Sequence, residues 1–130
     1  MPKVLDSSAL LAFLLNEPGA EKIAPELVGG MVSAVNAAET LLVLVRGGLP
    51  PQMAKLAIQK TRVAIIDFTF ELAALATRIA ADNPEFRARG IAFGDWACMA
   101  TGIQNGVPVL TADSAWRGLN VEGLEAVFIR

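Results

Sequence analysis

Near the start of the chain, residues 3–10 read Lys3-Val4-Leu5-Asp6-Ser7-Ser8-Ala9-Leu10. A short apolar run that ends in an acid and passes directly into an Ala- and Leu-rich stretch is typical of a β-strand followed by a helix. Three further apolar runs, at residues 31–34, 63–67 and 107–111, alternate with helical patterns. Strands that alternate with helices predict an α/β fold with a parallel sheet.

The intervening segments carry the helical patterns. They span residues 8–15, 19–28, 37–46, 50–60, 69–82 and 94–105, and residues 126–129 predict a last, edge strand. Gly47-Gly48 and Asn83-Pro84 are stop signals for the helices that precede them. No linker, repeat or low-complexity stretch divides the sequence, so we expect a single domain over residues 1–130.

The composition excludes several classes of site. The chain has 130 residues, of which 54% are hydrophobic and 18% charged, so it is not a disordered protein. It contains no histidine and one cysteine, Cys98, so it cannot build a Cys/His zinc site, a Ser-His-Asp triad or a Cys-His dyad. Carboxylates, hydroxyls, lysines and arginines remain, and carboxylates suit hard divalent cations.

Charge and hydropathy bear on the partners of the chain. The net charge of -2 gives no broad basic surface, so a nucleic acid would have to be bound locally by a few arginines. The mean hydropathy of +0.49 is high for a small domain and suggests that another chain covers part of the surface. Asp6 interrupts the only candidate signal peptide, and no apolar run is long enough to span a membrane, so we expect a cytoplasmic protein.

Four acids lie at the ends of predicted strands or in the helices next to them. Asp6 closes the first strand, and Asp113 follows the fourth by two residues. Glu39 lies early in the helix after the second strand, and Asp95 opens the helix that leads to the fourth. All four can reach the edge formed by the carboxyl ends of the strands, where ligands bind in open α/β sheets. Clustered carboxylates repel unless a cation compensates them, so this acidic quartet predicts a Mg²⁺ or Mn²⁺ site.

Each member of the acidic quartet also has an ordinary structural interpretation. Asn36 and Glu39 imitate a capping box, Asp95 could be an N-cap, and Asp113-Ser114 resembles an Asx-turn. Asp6 is harder to explain this way, because Ser8 could already cap the following helix. Asp67 also ends a strand, but a cap or turn is its expected role, and it is not assigned to the site.

The order of these motifs resembles a known family. The stretches Val4–Leu10, Ser33–Glu39, Gly90–Asp95 and Val109–Trp116 are similar to the successive motifs of PIN-domain nucleases, and most of all to the VapC toxins of bacterial toxin–antitoxin pairs. The resemblance covers nearly the whole chain, and the length suits a stand-alone toxin. It implies a three-layer α/β/α sandwich around a parallel sheet. The acidic residues of the family would fall on Asp6, Glu39, Asp95 and Asp113.

The resemblance further implies a Mg²⁺- or Mn²⁺-dependent endoribonuclease that a cognate antitoxin protein holds inactive. Asp6, Asp95 and Asp113 would be the metal ligands, and Glu39 would orient or deprotonate the attacking water. Two hydroxyls, on Ser8 and Thr111, would support the acids. Together with the apolar excess, the resemblance also predicts a homodimer.

Partner contacts are expected at two kinds of residue. Four arginines could contact RNA phosphates or an antitoxin carboxylate: Arg46, Arg87, Arg89 and Arg117. The predicted helix that contains Glu39 and the one that starts at Pro50 carry apolar stripes, which usually face a protein core. An antitoxin groove would be placed there because an amphipathic segment needs exposed aliphatic side chains.

Three other interpretations of the function compete with the nuclease. A phosphoacceptor domain of the receiver type would use Asp67, but the chain lacks the acidic pair after the first strand and has no lysine beyond Lys60. A haloacid-dehalogenase-like phosphatase needs a second Asp two residues after Asp6, where Ser8 stands. A catalytically silent binding module, in which all the acids are caps, is the third interpretation.

Overall fold

One five-stranded sheet forms the centre of the computed structural model, which describes residues 1–130. All neighbouring strands run parallel, in the order β3-β2-β1-β4-β5. The strands are β1 (Val4–Leu5), β2 (Met31–Ser33), β3 (Ala64–Ile66), β4 (Val109–Thr111) and β5 (Ala126–Phe128). The predicted edge strand at residues 126–129 is confirmed, one residue shorter, as β5.

Six α-helices connect these strands. They are α1 (Ser7–Leu14), α2 (Ala20–Ile23), α3 (Ala34–Arg46), α4 (Pro51–Lys60), α5 (Phe70–Asp82) and α6 (Phe93–Asn105). Single 3₁₀ turns occupy Ala24–Glu26, Pro84–Phe86 and Ser114–Trp116. None of the helices combines the length and the apolar character that crossing a bilayer would require.

The two faces of the sheet bury separate apolar clusters. Successive strand residues point to opposite faces, so Val4 packs with α5 and α6 on one face, while Leu5 packs with α1 and α2 on the other. Val109 and Leu110 of β4 divide between the clusters in the same way. The predicted three-layer α/β/α sandwich with a parallel sheet is therefore confirmed.

Two helices differ from the predictions by more than one residue at an end, and each does so for a local reason. The helix predicted to start at residue 37 begins at Ala34, because the Ser33 hydroxyl accepts a hydrogen bond from Val35 N and caps the helix three residues earlier. The helix predicted over residues 19–28 is broken into α2 and a 3₁₀ turn that contains Pro25. Proline has no backbone N–H to donate, so it favours a break at this point.

The strand order places the carboxyl ends of β1 and β4 side by side. β1 is the central strand, and it pairs with β4 in the register Val4 to Val109 and Leu5 to Leu110. Asp6 leaves the end of β1 next to the residues that leave the end of β4. The first turns of α3 and α6 approach the same edge of the sheet, as the contacts described below show.

Candidate functional site

Asp6 is a buried carboxylate held by two hydroxyl groups. Its side chain is 3% exposed, and Oδ2 accepts hydrogen bonds from Ser8 Oγ at 2.7 Å and Thr111 Oγ1 at 3.1 Å. Asp6 itself occupies the N-cap position of α1, so the expectation that Ser8 caps this helix is wrong. Burial raises the pKa of the Asp6 carboxyl to about 7, with Asp95 adding repulsion and the two hydroxyl donors opposing the rise.

The same two hydroxyls connect Asp6 to the exit of β4. Ser8 Oγ accepts a hydrogen bond from Ala112 N at 2.9 Å, and Thr111 Oγ1 accepts one from Asp113 N at 3.0 Å. Asp113 is half-buried, and its Oδ1 accepts from Ala115 N at 2.9 Å, so the predicted Asx-type cap at this position is present. Ser8 and Thr111 thus fix the position of one acid relative to the backbone of another.

Asp95 is the third residue of α6 and is not its N-cap as one interpretation predicted. Its Oδ2 accepts from Ala92 N at 2.8 Å, and its Oδ1 accepts from the indole Nε1 of Trp116 at 3.2 Å. Partial burial raises the pKa of the Asp95 carboxyl above its usual value, and the charges of Asp113 and Glu39 add to the rise, while both donors oppose it.

Glu39 lies on α3 and reaches across to the first turn of α6. Asn36 Nδ2 donates to Glu39 Oε1 at 2.8 Å and also to the carbonyl oxygen of Gly94 at 3.0 Å. The predicted capping box is wrong, because Ser33 caps α3 and Asn36 lies inside the helix. The Asn36–Glu39 contact joins two residues one turn apart on α3, and the Asn36–Gly94 bond connects α3 to α6.

The structure brings the four acids into one electrostatic group. The charge of Asp95 raises the pKa of Asp6, and the charges of Glu39 and Asp113 raise the pKa of Asp95. The protein has two ion pairs, Lys3–Glu26 and Arg130–Glu17, so no lysine or arginine neutralises the acidic quartet. As the side chains stand, no three acids or thiols are placed to hold one metal ion. The donor set is nevertheless entirely hard oxygen and fits a divalent cation.

The chain matches a known domain family over most of its length. The PIN domain family matches residues 3–121, which include all four acids. The chain belongs to the PIN domain family. Among curated proteins no sequence matches this one.

Solved structures share the PIN fold over almost the entire chain. DNA-bound VapBC from Salmonella typhimurium has a TM-score of 0.73 at 17% identity, with 100% of both chains covered. VapBC-1 from nontypeable Haemophilus influenzae has a TM-score of 0.72 at 17% identity, covering 99% of this chain and 98% of that one. VapBC2 from Rickettsia felis, bound to a promoter DNA fragment, has a TM-score of 0.69 at 16% identity and 98% coverage of both chains.

Asp67 lies outside the acidic group of this PIN domain. Its side chain is exposed and makes no hydrogen bond, whereas Thr69 Oγ1 caps α5 by accepting from Leu72 N at 3.2 Å. The predicted cap role for Asp67 is therefore wrong. Membership of the PIN domain family also excludes the receiver interpretation, which required Asp67 as phosphoacceptor.

The arginines of this PIN domain divide into two kinds. Arg89 Nη2 donates to the carbonyl oxygens of Ala115 and Arg117, and Arg117 lies over the Phe128 ring at 4.2 Å and donates to the carbonyl of Arg130. These two side chains hold the segment that follows Asp113. Arg46 and Arg87 are exposed and make no ion pair or hydrogen bond, so their guanidinium groups are free for a partner.

Three residues that contact Glu39 or Asp95 were not predicted from the sequence as part of the site: Asn36, Gly94 and Trp116. Asn36 could have been found from its spacing to Glu39, but that spacing also fits a capping box. The Trp116–Asp95 bond joins residues 21 apart in the chain, and no periodicity signals it.

Proposed function

We propose that this PIN domain is a divalent-cation-dependent endoribonuclease. The observation that carries the proposal is a group of four carboxylates at the carboxyl edge of a parallel sheet without a compensating lysine or arginine. Like charges placed close together destabilise a fold, so a group of four acids in one place favours a functional role. The chain has no histidine, so within this group the carboxylates are the side chains that can transfer a proton.

Asp6, Asp95 and Asp113 would hold a Mg²⁺ or Mn²⁺ ion through carboxylate oxygens. When bound, that cation would polarise a phosphate oxygen of RNA and make a water molecule more acidic. Glu39 is the exposed member of the acidic quartet, and it would orient the attacking water or accept its proton. The new bond joins the water oxygen to phosphorus, and the bond to the 3′-oxygen breaks.

The supporting residues have defined tasks in this proposal. Ser8 and Thr111 donate to one oxygen of Asp6 and restrict its rotation. Of the four predicted arginines, Arg46 and Arg87 have free guanidinium groups that could contact RNA phosphates, whereas Arg89 and Arg117 are engaged with backbone carbonyls and Phe128.

RNA cleavage by the purified chain tests the enzyme proposal. We expect a single-stranded RNA to be cut with Mg²⁺ or Mn²⁺, to survive with EDTA, and to be cut again when the cation is restored. Asp95→Asn should reduce the rate at least about a hundredfold, the scale of losing one principal electrostatic interaction. Asp67→Asn is the matched control and should cleave like the wild type. Divalent-ion calorimetry with no heat that depends on Asp6 would instead favour a silent binding module.

We also propose that the chain is the VapC-type toxin of a toxin–antitoxin pair, acting in the cytoplasm. The similar structures named above are VapBC proteins, two of them bound to DNA. An antitoxin would dock on α3 and α4. There Leu44 and Ile58 are buried in the core, and their neighbours Leu42, Val43, Met53 and Leu56 are exposed.

Expression of the chain alone in bacteria tests the toxin proposal. Growth should slow, and Asp6→Asn at equal protein level should restore it, because the variant keeps the shape of the side chain and loses its charge. Undiminished toxicity of Asp6→Asn would contradict the mechanism. The reading frame next to the gene should encode a small DNA-binding protein that relieves the toxicity.

A further inference from the structure

Glu39 is held in place by a buried asparagine, Asn36. A glutamate on an exposed helix surface normally samples several rotamers, and immobilising it has an entropic cost. Here Asn36 Nδ2 donates to both Glu39 Oε1 and Gly94 O, so one amide group fixes the carboxylate against α6. No other side chain of the protein hydrogen bonds to Glu39.

Asn36 is an unfavourable choice for a purely structural position. Its side chain is fully buried, and its Oδ1 is the only buried side-chain nitrogen or oxygen in the protein without a hydrogen-bond partner. An unpaired buried carbonyl destabilises the folded state, so an apolar side chain of similar shape would serve the core at least as well. Stability therefore does not explain the asparagine.

Gly94 supplies the space that Glu39 occupies. A Cβ atom built on Gly94 would collide with the Glu39 carboxylate. The φ angle of Gly94 lies outside the left-handed region, so the backbone conformation does not require glycine at this position. The missing side chain is what lets a glutamate on α3 lie directly against the turn that carries Asp95.

We propose that Asn36 and Gly94 are positioning residues that together set the location of the Glu39 carboxylate relative to Asp95. Asn36 acts by attraction, through its two donated hydrogen bonds, and Gly94 acts by leaving room. The consequence for RNA cleavage rests on the proposed nuclease function. The positions of the Glu39 atoms do not depend on it and can be measured separately.

Crystal structures of Asn36→Leu, Asn36→Ala and Gly94→Ala test the positioning itself. We expect the Glu39 carboxylate to leave the α6 N-terminus in each variant that folds, and the alanine variant serves if leucine overpacks the core. Asn83→Ala and Gly47→Ala are matched controls. Asn83 donates to Ile79 O and bonds to none of the acids, and an added Cβ at Gly47 would make a close contact, 3.3 Å to Val43 O, that involves no acid. If the Glu39 carboxylate keeps its position against Gly94 in Asn36→Ala, the proposal is overturned.

A double-mutant cycle tests whether Asn36 acts through Glu39. In the wild-type background, Asn36→Ala should lower kcat for RNA cleavage, measured per folded molecule, roughly ten- to a hundredfold, the scale of a misplaced catalytic group. In a Glu39→Gln background the same change should produce no further loss. Fully multiplicative losses would refute a role through Glu39. If the wild type cleaves no RNA, the nuclease proposal fails, and the crystal structures still decide the positioning.

Discussion

The indole Nε1 of Trp116 donates a hydrogen bond to Asp95 Oδ1 at 3.2 Å. Trp116 is 1% exposed and belongs to the core cluster between the sheet and α5–α6. Asp95 Oδ2 accepts from Ala92 N, so both oxygens of this carboxylate have a fixed donor. A core residue on the 3₁₀ turn after Asp113 therefore orients an acid on α6, and packing of the core is coupled to the geometry of the site.

Trp116→Phe should release Asp95 and leave most of the packing intact. Loss of one donor to a carboxylate should destabilise the fold by about 1–3 kcal/mol and raise the pKa of the Asp95 carboxyl further, since that bond favours the ionised form. NMR titration of the carboxyl carbons measures the pKa change, and urea unfolding measures the stability. Trp96→Phe is the control, because the Trp96 indole donates to Ile91 O and not to an acid. Equal changes of the Asp95 pKa in both variants would contradict this role for Trp116.

The raised pKa of Asp6 predicts that the metal-free protein loses stability as the pH rises. Below the ordinary carboxyl range Asp6 is neutral in both the folded and unfolded states, and between that range and about 7 only the unfolded chain ionises it. The folded state then binds more protons than the unfolded state, so the free energy of unfolding falls with increasing pH, by up to roughly 4 kcal/mol.

Urea unfolding in EDTA at about pH 4 and pH 8 measures this effect. Asp6→Asn should abolish most of the pH dependence and be more stable than the wild type at the higher pH, because an asparagine oxygen can still accept from Ser8 and Thr111. Asp82→Asn, on an exposed carboxyl, should leave the slope unchanged. A wild-type stability that rises steadily from pH 4 to pH 8 would show that Asp6 ionises freely in the folded protein.

The sheet and the position of the acids were predictable because both follow from local patterns. Asp6 and Asp113 come directly after apolar runs, and parallel strands bring their carboxyl ends to one edge whatever their order. The direction of the last strand was not specified by its sequence, and the order of the five strands could not be read from their patterns alone. Both depend on which helices cover which face of the sheet.

The hydrogen bonds of the acidic site were harder to predict from the sequence, because one local pattern is compatible with two structures. Asn36 and Glu39 have the spacing of a capping box, and only the position of Ser33 decides that the helix starts earlier. Asp67 and Asp6 both end strands, and their roles differ because β3 is an edge strand and β1 is central. Long-range contacts such as Trp116–Asp95 depend on the assembled core.

A homodimer remains a prediction of the apolar surface. Phe70, at the start of α5, is 89% exposed, and the small residues Ala74, Thr77 and Ala81 continue the same open face of that helix. Small side chains allow a second helix to approach closely. Light scattering at micromolar concentration should give twice the mass of the 13.7 kDa chain, and Phe70→Ser should shift it toward the monomer. Leu42→Ser, on the proposed antitoxin surface, should not. A wild-type monomer would contradict the prediction.

Asp113 has two roles that a pair of substitutions can separate. Its Oδ1 accepts from Ala115 N and caps the turn, and its charge adds to the repulsion on Asp95. Asparagine caps as well as aspartate does, so Asp113→Asn should keep the stability within about 0.5 kcal/mol, whereas Asp113→Ala should lose about 1 kcal/mol.

Activity should not follow stability in this pair. Both Asp113→Asn and Asp113→Ala should cut RNA at least about a hundredfold more slowly, because each removes the charge that would help to hold the cation. Asp67→Asn should match the wild type in both measurements, since its side chain is exposed and unbonded. Cleavage rates per folded molecule, measured beside urea unfolding, distinguish the roles. Wild-type cleavage by Asp113→Asn would reduce Asp113 to a cap, and the cation would then have to be held by the remaining acids, Asp6, Glu39 and Asp95.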